Sequence, residues 1–270
     1  MNASPALPAP RFAWTHALLL LAASVLLMLL ALCVGADGVR LPREAWVEDG
    51  LLRHIVWDIR LPRILGAWTV GALLGLAGGI AQGLFRNPLA EPYLLGSASG
   101  ASLFVALFML LTAWALNSKG VTDINALLRL GLTGAAFIGA GVSVLLTMVL
   151  AGGTGRNLQL LLAGVIVGVV MGAMAALIML MNPNIMPNMQ SFMWGNTAFI
   201  GWPATGLLLA IFLPCVLLAT LGARGLNALA LGELSAASLG LPLARFRLFY
   251  IALIALATGA AVAQAGLIAF

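Results

Sequence analysis

The chain is poor in the side chains that do chemistry: one lysine, two histidines, two cysteines and eight acidic residues among 270. Each scarcity excludes something. Lys119 is followed by glycine but has no glycine-rich loop before it, so the chain carries no P-loop to hold the phosphates of ATP. His16 and His54 stand apart, no HExxH occurs and no two carboxylates share an apolar run. An intramembrane hydrolase or metal site has nothing to work with, and no catalytic residue, metal or cofactor is assigned. His54 reads as an exposed loop histidine. Cys33 and Cys215 lie inside apolar runs, where a thiol behaves as a small hydrophobe, and their spacing suggests no pair.

What is abundant is apolar surface. With 63% hydrophobic and 8% charged residues and a mean hydropathy of +1.11, the chain cannot hide its surface in a water-soluble globule and belongs in a lipid bilayer. The net charge of +5 does not point to nucleic acid, because the Lys and Arg residues fall in the breaks between apolar runs and form no cluster suited to a phosphate backbone.

A hydrocarbon core about 30 Å thick needs ~20 apolar residues in helix. Seven runs supply that length: Trp14–Val34, Ile64–Phe85, Leu94–Leu116, Leu130–Ala151, Leu158–Met181, Ala204–Leu221 and Leu248–Phe270. The first is longer than a signal-peptide core and is read as a span. The runs are apolar on all sides, unlike the alternating strands of a barrel, so the fold class is an all-α, polytopic transmembrane helix bundle. Glycines four apart at Gly71/Gly75, Gly79/Gly83 and Gly164/Gly168/Gly172 predict faces where backbones pack closely.

No Asp, Glu, Lys or Arg lies inside any of the seven runs. A secondary transporter usually keeps ionisable groups at membrane depth for its coupling ion. Broken-helix carbonyls can still hold sodium, so an ion-coupled transporter stays as the alternative to a solute pathway energised by another subunit. Counting Lys and Arg sets no orientation: with the N-terminus inside, six fall on the inner side and seven on the outer.

The stretch RNPLAEPYLLGSASGAS at residues 86–102 interrupts the apolar pattern. Pro88 and Pro92 force a turn after Phe85. The hydroxyls and glycines that follow are tolerable at membrane depth only against protein or a water-filled cavity. Residues 226–242 read as two short helices, Leu226–Leu231 and Glu233–Leu239, closed by Gly240 with Pro242 beyond. Glu233 suits the positive end of the second helix. In 181–202, Met186, Met189 and Met193 are read as gap-fillers, with contact to a bulky ligand as the other reading.

Several of these segments carry a family resemblance. IRLPR at 59–63, QGLFRNPLAEP at 82–92, LLGSASGA at 94–101, LLLAG at 160–164, ALALGELSAASLGLP at 228–242 and AGLIAF at 265–270 resemble the membrane-spanning subunit of FecCD-type ABC importers. That family takes up ferric siderophores, haem and cobalamin.

The resemblance implies the type II ABC importer permease architecture, one transmembrane domain over residues 1–270 and an inner (plasma) membrane location. Its partners would be a second copy of the chain, two cytoplasmic ATPase subunits, a periplasmic binding protein and the bilayer. It places the N-terminus inside, 36–63 in the periplasm and 222–245 in the cytoplasm. Arg60 and Arg63 would dock acidic residues of the binding protein, as forked guanidinium hydrogen bonds to carboxylate allow. An arginine at either position would also anchor a span at the interface. Gly96, Ser97, Ser99, Gly100 and Ser102 would line or support the translocation pathway. Leu229, Leu231, Gly232, Glu233, Leu239 and Gly240 would form the element that takes up motion from the ATPase; a plain amphipathic loop resting on the membrane is the other reading of it. Members of that family carry about ten spans of bilayer length, so further C-terminal spans are expected beyond the seven here.

Overall fold

The computed structural model describes residues 10–35, 38–39, 53–119, 125–155 and 157–268. Residues 40–52 of the segment expected in the periplasm, and Ala269 and Phe270 of the last motif, lie outside the described residues. The chain divides into two compact units, Met1–Leu65 and Gly66–Phe270.

In the first unit, α1 (Pro10–Cys33) is followed by a two-residue antiparallel ladder, β1 (Val34–Gly35) with β2 (Gly38–Val39). The leucines of α1 from Leu18 to Leu21 are exposed, a surface made for lipid. A π-helical stretch then covers Ile55–Arg60, with the Leu61 amide donating to the Val56 carbonyl five residues back. It runs directly into α2 (Leu61–Phe85). Helix therefore begins well before the expected Ile64. Pro62 therefore lies inside a continuous helical stretch, where it gives no main-chain hydrogen bond to the turn before it, and that turn is the wider π-helical one. His54, expected in a loop, is on this helical segment one turn from Asp58, with which it makes an ion pair when protonated.

The second unit contains the rest of α2, then α3 (Ser97–Lys119), α4 (Asn125–Leu150) and α5 (Asn157–Met181). A 3-10 turn at Pro183–Ile185 leads to the short α6 (Met186–Trp194). The long α7 (Trp202–Ala230), the six-residue α8 (Glu233–Ser238) and α9 (Leu243–Ala265) complete it. Among the described residues seven helices are long and apolar enough to cross a membrane, one for each expected run.

Three boundaries differ in an instructive way. α3 starts at Ser97, after Gly96 at φ 78°, because a left-handed residue ends the incoming turn. α7 runs unbroken to Ala230, so the expected separate helix at 226–231 is its last turn. α9 starts at Leu243 and takes Arg245 and Arg247 into the helix, which ends at Gly266 with φ 72°. The seven runs themselves stay uncharged, and charge enters only where the helices extend past them.

α3 packs on both α4 and α5, and α9 packs on α4 and α7. The α3–α4 crossing is made at Gly100 and Gly139, where a Cβ on either glycine would strike the carbonyl of the other. On α5 the expected glycine face is in use: Gly164 lies under the Leu94 carbonyl, and Gly168 and Gly172 leave room for Ser99. On α2 it is not. Gly71, Gly75 and Gly79 meet nothing in the described chain, while the opposite face, with Leu73, Leu74 and Ala77, is buried. α2 meets α7 through the edge-to-face rings of Trp68 and Phe212, 5.6 Å between centroids.

Candidate functional site

The interruption at 86–96 is built as a helix stop followed by a buried turn. The Asn87 amide donates to the Gln82 carbonyl, closing α2 with Arg86 in the left-handed region at φ 50°. Glycine usually fills that position, since a side chain there costs about 1–2 kcal/mol. Asn87 Oδ1 accepts from the Leu89 amide, and the Gly96 amide donates to the Tyr93 carbonyl. The next two carbonyls point into the bundle and are met by hydroxyls one turn apart on α4. Ser143 Oγ donates to Gly96 O at 2.6 Å, and Thr147 Oγ1 donates to Leu95 O at 3.0 Å. Ser143 is seven residues from the end of α4, so the break reaches about 10 Å into the bundle at 1.5 Å per residue. Non-helical backbone at that depth is permitted because protein hydroxyls satisfy it.

Of the five small residues expected along a pathway, three sit at helix contacts within this one chain. Gly96 is under Ser143, Gly100 is against Gly139 and Ser99 faces Gly168 and Gly172. Ser97 is buried, with its Oγ unpartnered among the described residues. Ser102 bonds back to Ala98 O. They shape the start and packing of α3.

At the end of the unit where α2, α5 and α8 meet, charge gathers around Glu233. Arg247, in the second turn of α9, is only 2% exposed and is among the largest fully buried side chains. Its Nη1 donates to Gly155 O at 2.6 Å and to Thr154 O at 3.0 Å, the turn between α4 and α5. Its Nη2 stands 2.6 Å from Glu233 Oε1, an ion pair not aligned as a hydrogen bond, and Nε has no acceptor among the described residues. Arg86 Nη2 approaches the same Glu233 oxygen at 3.8 Å from the half-exposed side. Two further links close this end: Thr154 Oγ1 to Ala244 O at 3.1 Å and Asn157 Nδ2 to Leu84 O at 3.5 Å.

α8 projects from this knot. Gly232 at φ 117° precedes it, and Gly240 at φ 80° ends it, with the Leu241 amide donating to Ala236 O. Leu231, Leu234 and Leu239 are 76%, 89% and 68% exposed, an apolar knob. Leu229 is turned the other way and is 1% exposed, so it belongs to the core and not to the knob. The sequence reading missed Leu234 and Arg247. Leu234 could have been found by its spacing within the helix; nothing local in sequence announces that Arg247 is buried.

The opposite end of the unit holds a cavity of about 580 Å³, lined among others by Asn184, Asn188, Asn196, Gln264, Thr112 and Thr133, with no charged residue among its described lining. Its rim is fastened by main-chain bonds, Asn196 N to Ala265 O at 2.6 Å and Leu267 N to Phe192 O at 2.9 Å. Met189 is buried in the core, whereas Met186 and Met193 are exposed and do not line the cavity.

Within the first unit, Arg60 ends the π-helical stretch and its Nη1 donates to Leu32 O at 3.3 Å. Arg63 is exposed on the first turn of α2. They lie on continuous helix three residues apart.

Comparison with known proteins agrees with this geometry. Residues 13–270 match the FecCD transport family. The chain is 36% identical over 251 residues to the vitamin B12 import system permease protein BtuC of Yersinia enterocolitica, covering 91% of this chain and 70% of that one. It is 33% identical to the protein of the same name from Pectobacterium atrosepticum, with 93% and 72% covered. Among solved structures it is similar to a metal-chelate type ABC transporter in an inward-facing conformation, with a TM-score of 0.78, 26% identity and 97% of this chain and 78% of that one covered.

Proposed function

Because the chain belongs to the FecCD transport family and is a multi-pass permease subunit of an ABC importer in the bacterial inner membrane, we propose that it passes a cobalamin-type metal chelate inward, as a homodimer driven by a cytoplasmic ATPase docked on α8. Membership in that family sets aside the ion-coupled alternative.

The observation that carries the coupling role is the pose of α8: three leucines held out in the open by a helix whose base is tied down by charge. Apolar side chains so exposed on a rigid knob fit a groove on a partner. The substrate class rests on the amides and hydroxyls of the cavity's described lining. They suit the neutral, amide-bearing rim of a corrinoid, whereas haem or a ferric catecholate would bring negative charge and call for an arginine or lysine. The names of the relatives support the same class. The exposed Arg63 and its neighbour Arg60 are the contacts for a periplasmic binding protein. Gly96 to Ser102 support the pathway by fixing α3.

The test is substrate-stimulated ATP hydrolysis by the whole importer in liposomes, with cobalamin, haem and a ferric siderophore compared. Stimulation by cobalamin with its binding protein is expected, and stimulation by haem or siderophore alone would overturn the substrate class. Arg60→Glu with Arg63→Glu should abolish stimulation by the binding protein. If stimulation persists, those arginines do not dock it.

A further inference from the structure

We propose that Arg247 is the positioning residue that locks α8 to the transmembrane core, so that a push on α8 moves α9 and the α4–α5 turn together. This rests on the reading that the ATPase docks on α8.

Three chain segments converge on one guanidinium. Its own helix is α9, most of whose length is buried in the second unit. Two carbonyls of the α4–α5 turn take Nη1, and the turn itself is held tight by Gly152 at φ 67° and Gly153 at φ 105°. The carboxylate at the start of α8 meets Nη2. Other attachments of α8 are few: Ala236 is its one buried side chain. The leucines that would offer more apolar grip are turned outward.

A buried arginine is a poor way to gain stability, since a well-packed apolar side chain would do as well or better. What a planar fork supplies is fixed geometry between groups that would otherwise slide. Arg86 adds a looser tether from the end of α2 to the same carboxylate.

The test uses the complete importer with its ATPase and binding protein in liposomes, and it reads cobalamin moved per ATP hydrolysed. Glu233→Gln removes the charge on the half-exposed partner and keeps its shape, but it leaves the buried Arg247 without that counter-charge, so the ratio is read only on folded complex that co-purifies with the ATPase. The ratio should fall about tenfold, the loss expected for a charge-assisted contact. Arg247→Lys keeps the charge and loses the fork, with a fall of about threefold to tenfold. Arg86→Gln should change the ratio by about twofold or less. A ratio unchanged in both Glu233→Gln and Arg247→Lys, with the ATPase still co-purifying, would overturn the lock. So would transport and hydrolysis falling together at constant ratio, which marks a merely structural pair. The docking reading is tested separately by Leu234→Asp with Leu239→Asp. If the ATPase still co-purifies with that variant, α8 is not the docking site, whatever Arg247 does.

Discussion

Two glycine rows with the same four-residue spacing have opposite surroundings. On α5, Gly164, Gly168 and Gly172 receive the backbone and hydroxyls at the start of α3; on α2, Gly71, Gly75 and Gly79 face nothing in the described chain. Spacing shows that a backbone can be approached closely. Only a partner with its own backbone exposed decides that it is, and that partner is the non-helical stretch from Leu94 to Gly96.

Substitutions can break this contrast in graded steps. Gly100→Val puts a branched side chain between two backbones that already touch, and overpacking there should cost about 3 kcal/mol, on the order of 10 °C in the melting midpoint of the detergent-solubilised protein. Gly164→Ala drives a methyl into the Leu94 carbonyl, for about 2 kcal/mol by the same measurement. Ser143→Ala removes the hydroxyl donor to the Gly96 carbonyl, which keeps only the Gly100 amide, and should cost about 1 kcal/mol. Gly75→Ala should cost nothing and gain up to about 1 kcal/mol in helix propensity. A loss of stability at Gly75 would instead show that the α2 row is covered by another chain.

The sequence made much of the fold legible because bilayer length is a crude and strong constraint: each of seven uncharged runs became one helix. The stop after Phe85 and the closure at Gly240 were also legible, being written in proline and glycine. The early start of α2 was not, because Arg60 and Arg63 look like a loop until the π-helical turn before them is seen. Leu229 and Leu231 are two residues apart and alike in chemistry, yet one is core and the other surface. Separating them required knowing that α7 continues to Ala230. Arg247 was hidden for a different reason: its partners come from residues 154, 155 and 233, and no local pattern joins such distant positions.

The two arginines at Glu233 will answer differently to added salt. Mobile ions screen solvent-facing charges over about 8–10 Å at moderate ionic strength, so the 3.8 Å approach of Arg86 weakens as electrolyte is raised. The Arg247 arm that holds main-chain oxygens is out of reach of dissolved ions and has no titrating partner there. Electrolyte therefore loosens the tether to α2 and leaves the seam between α9 and the α4–α5 turn shut.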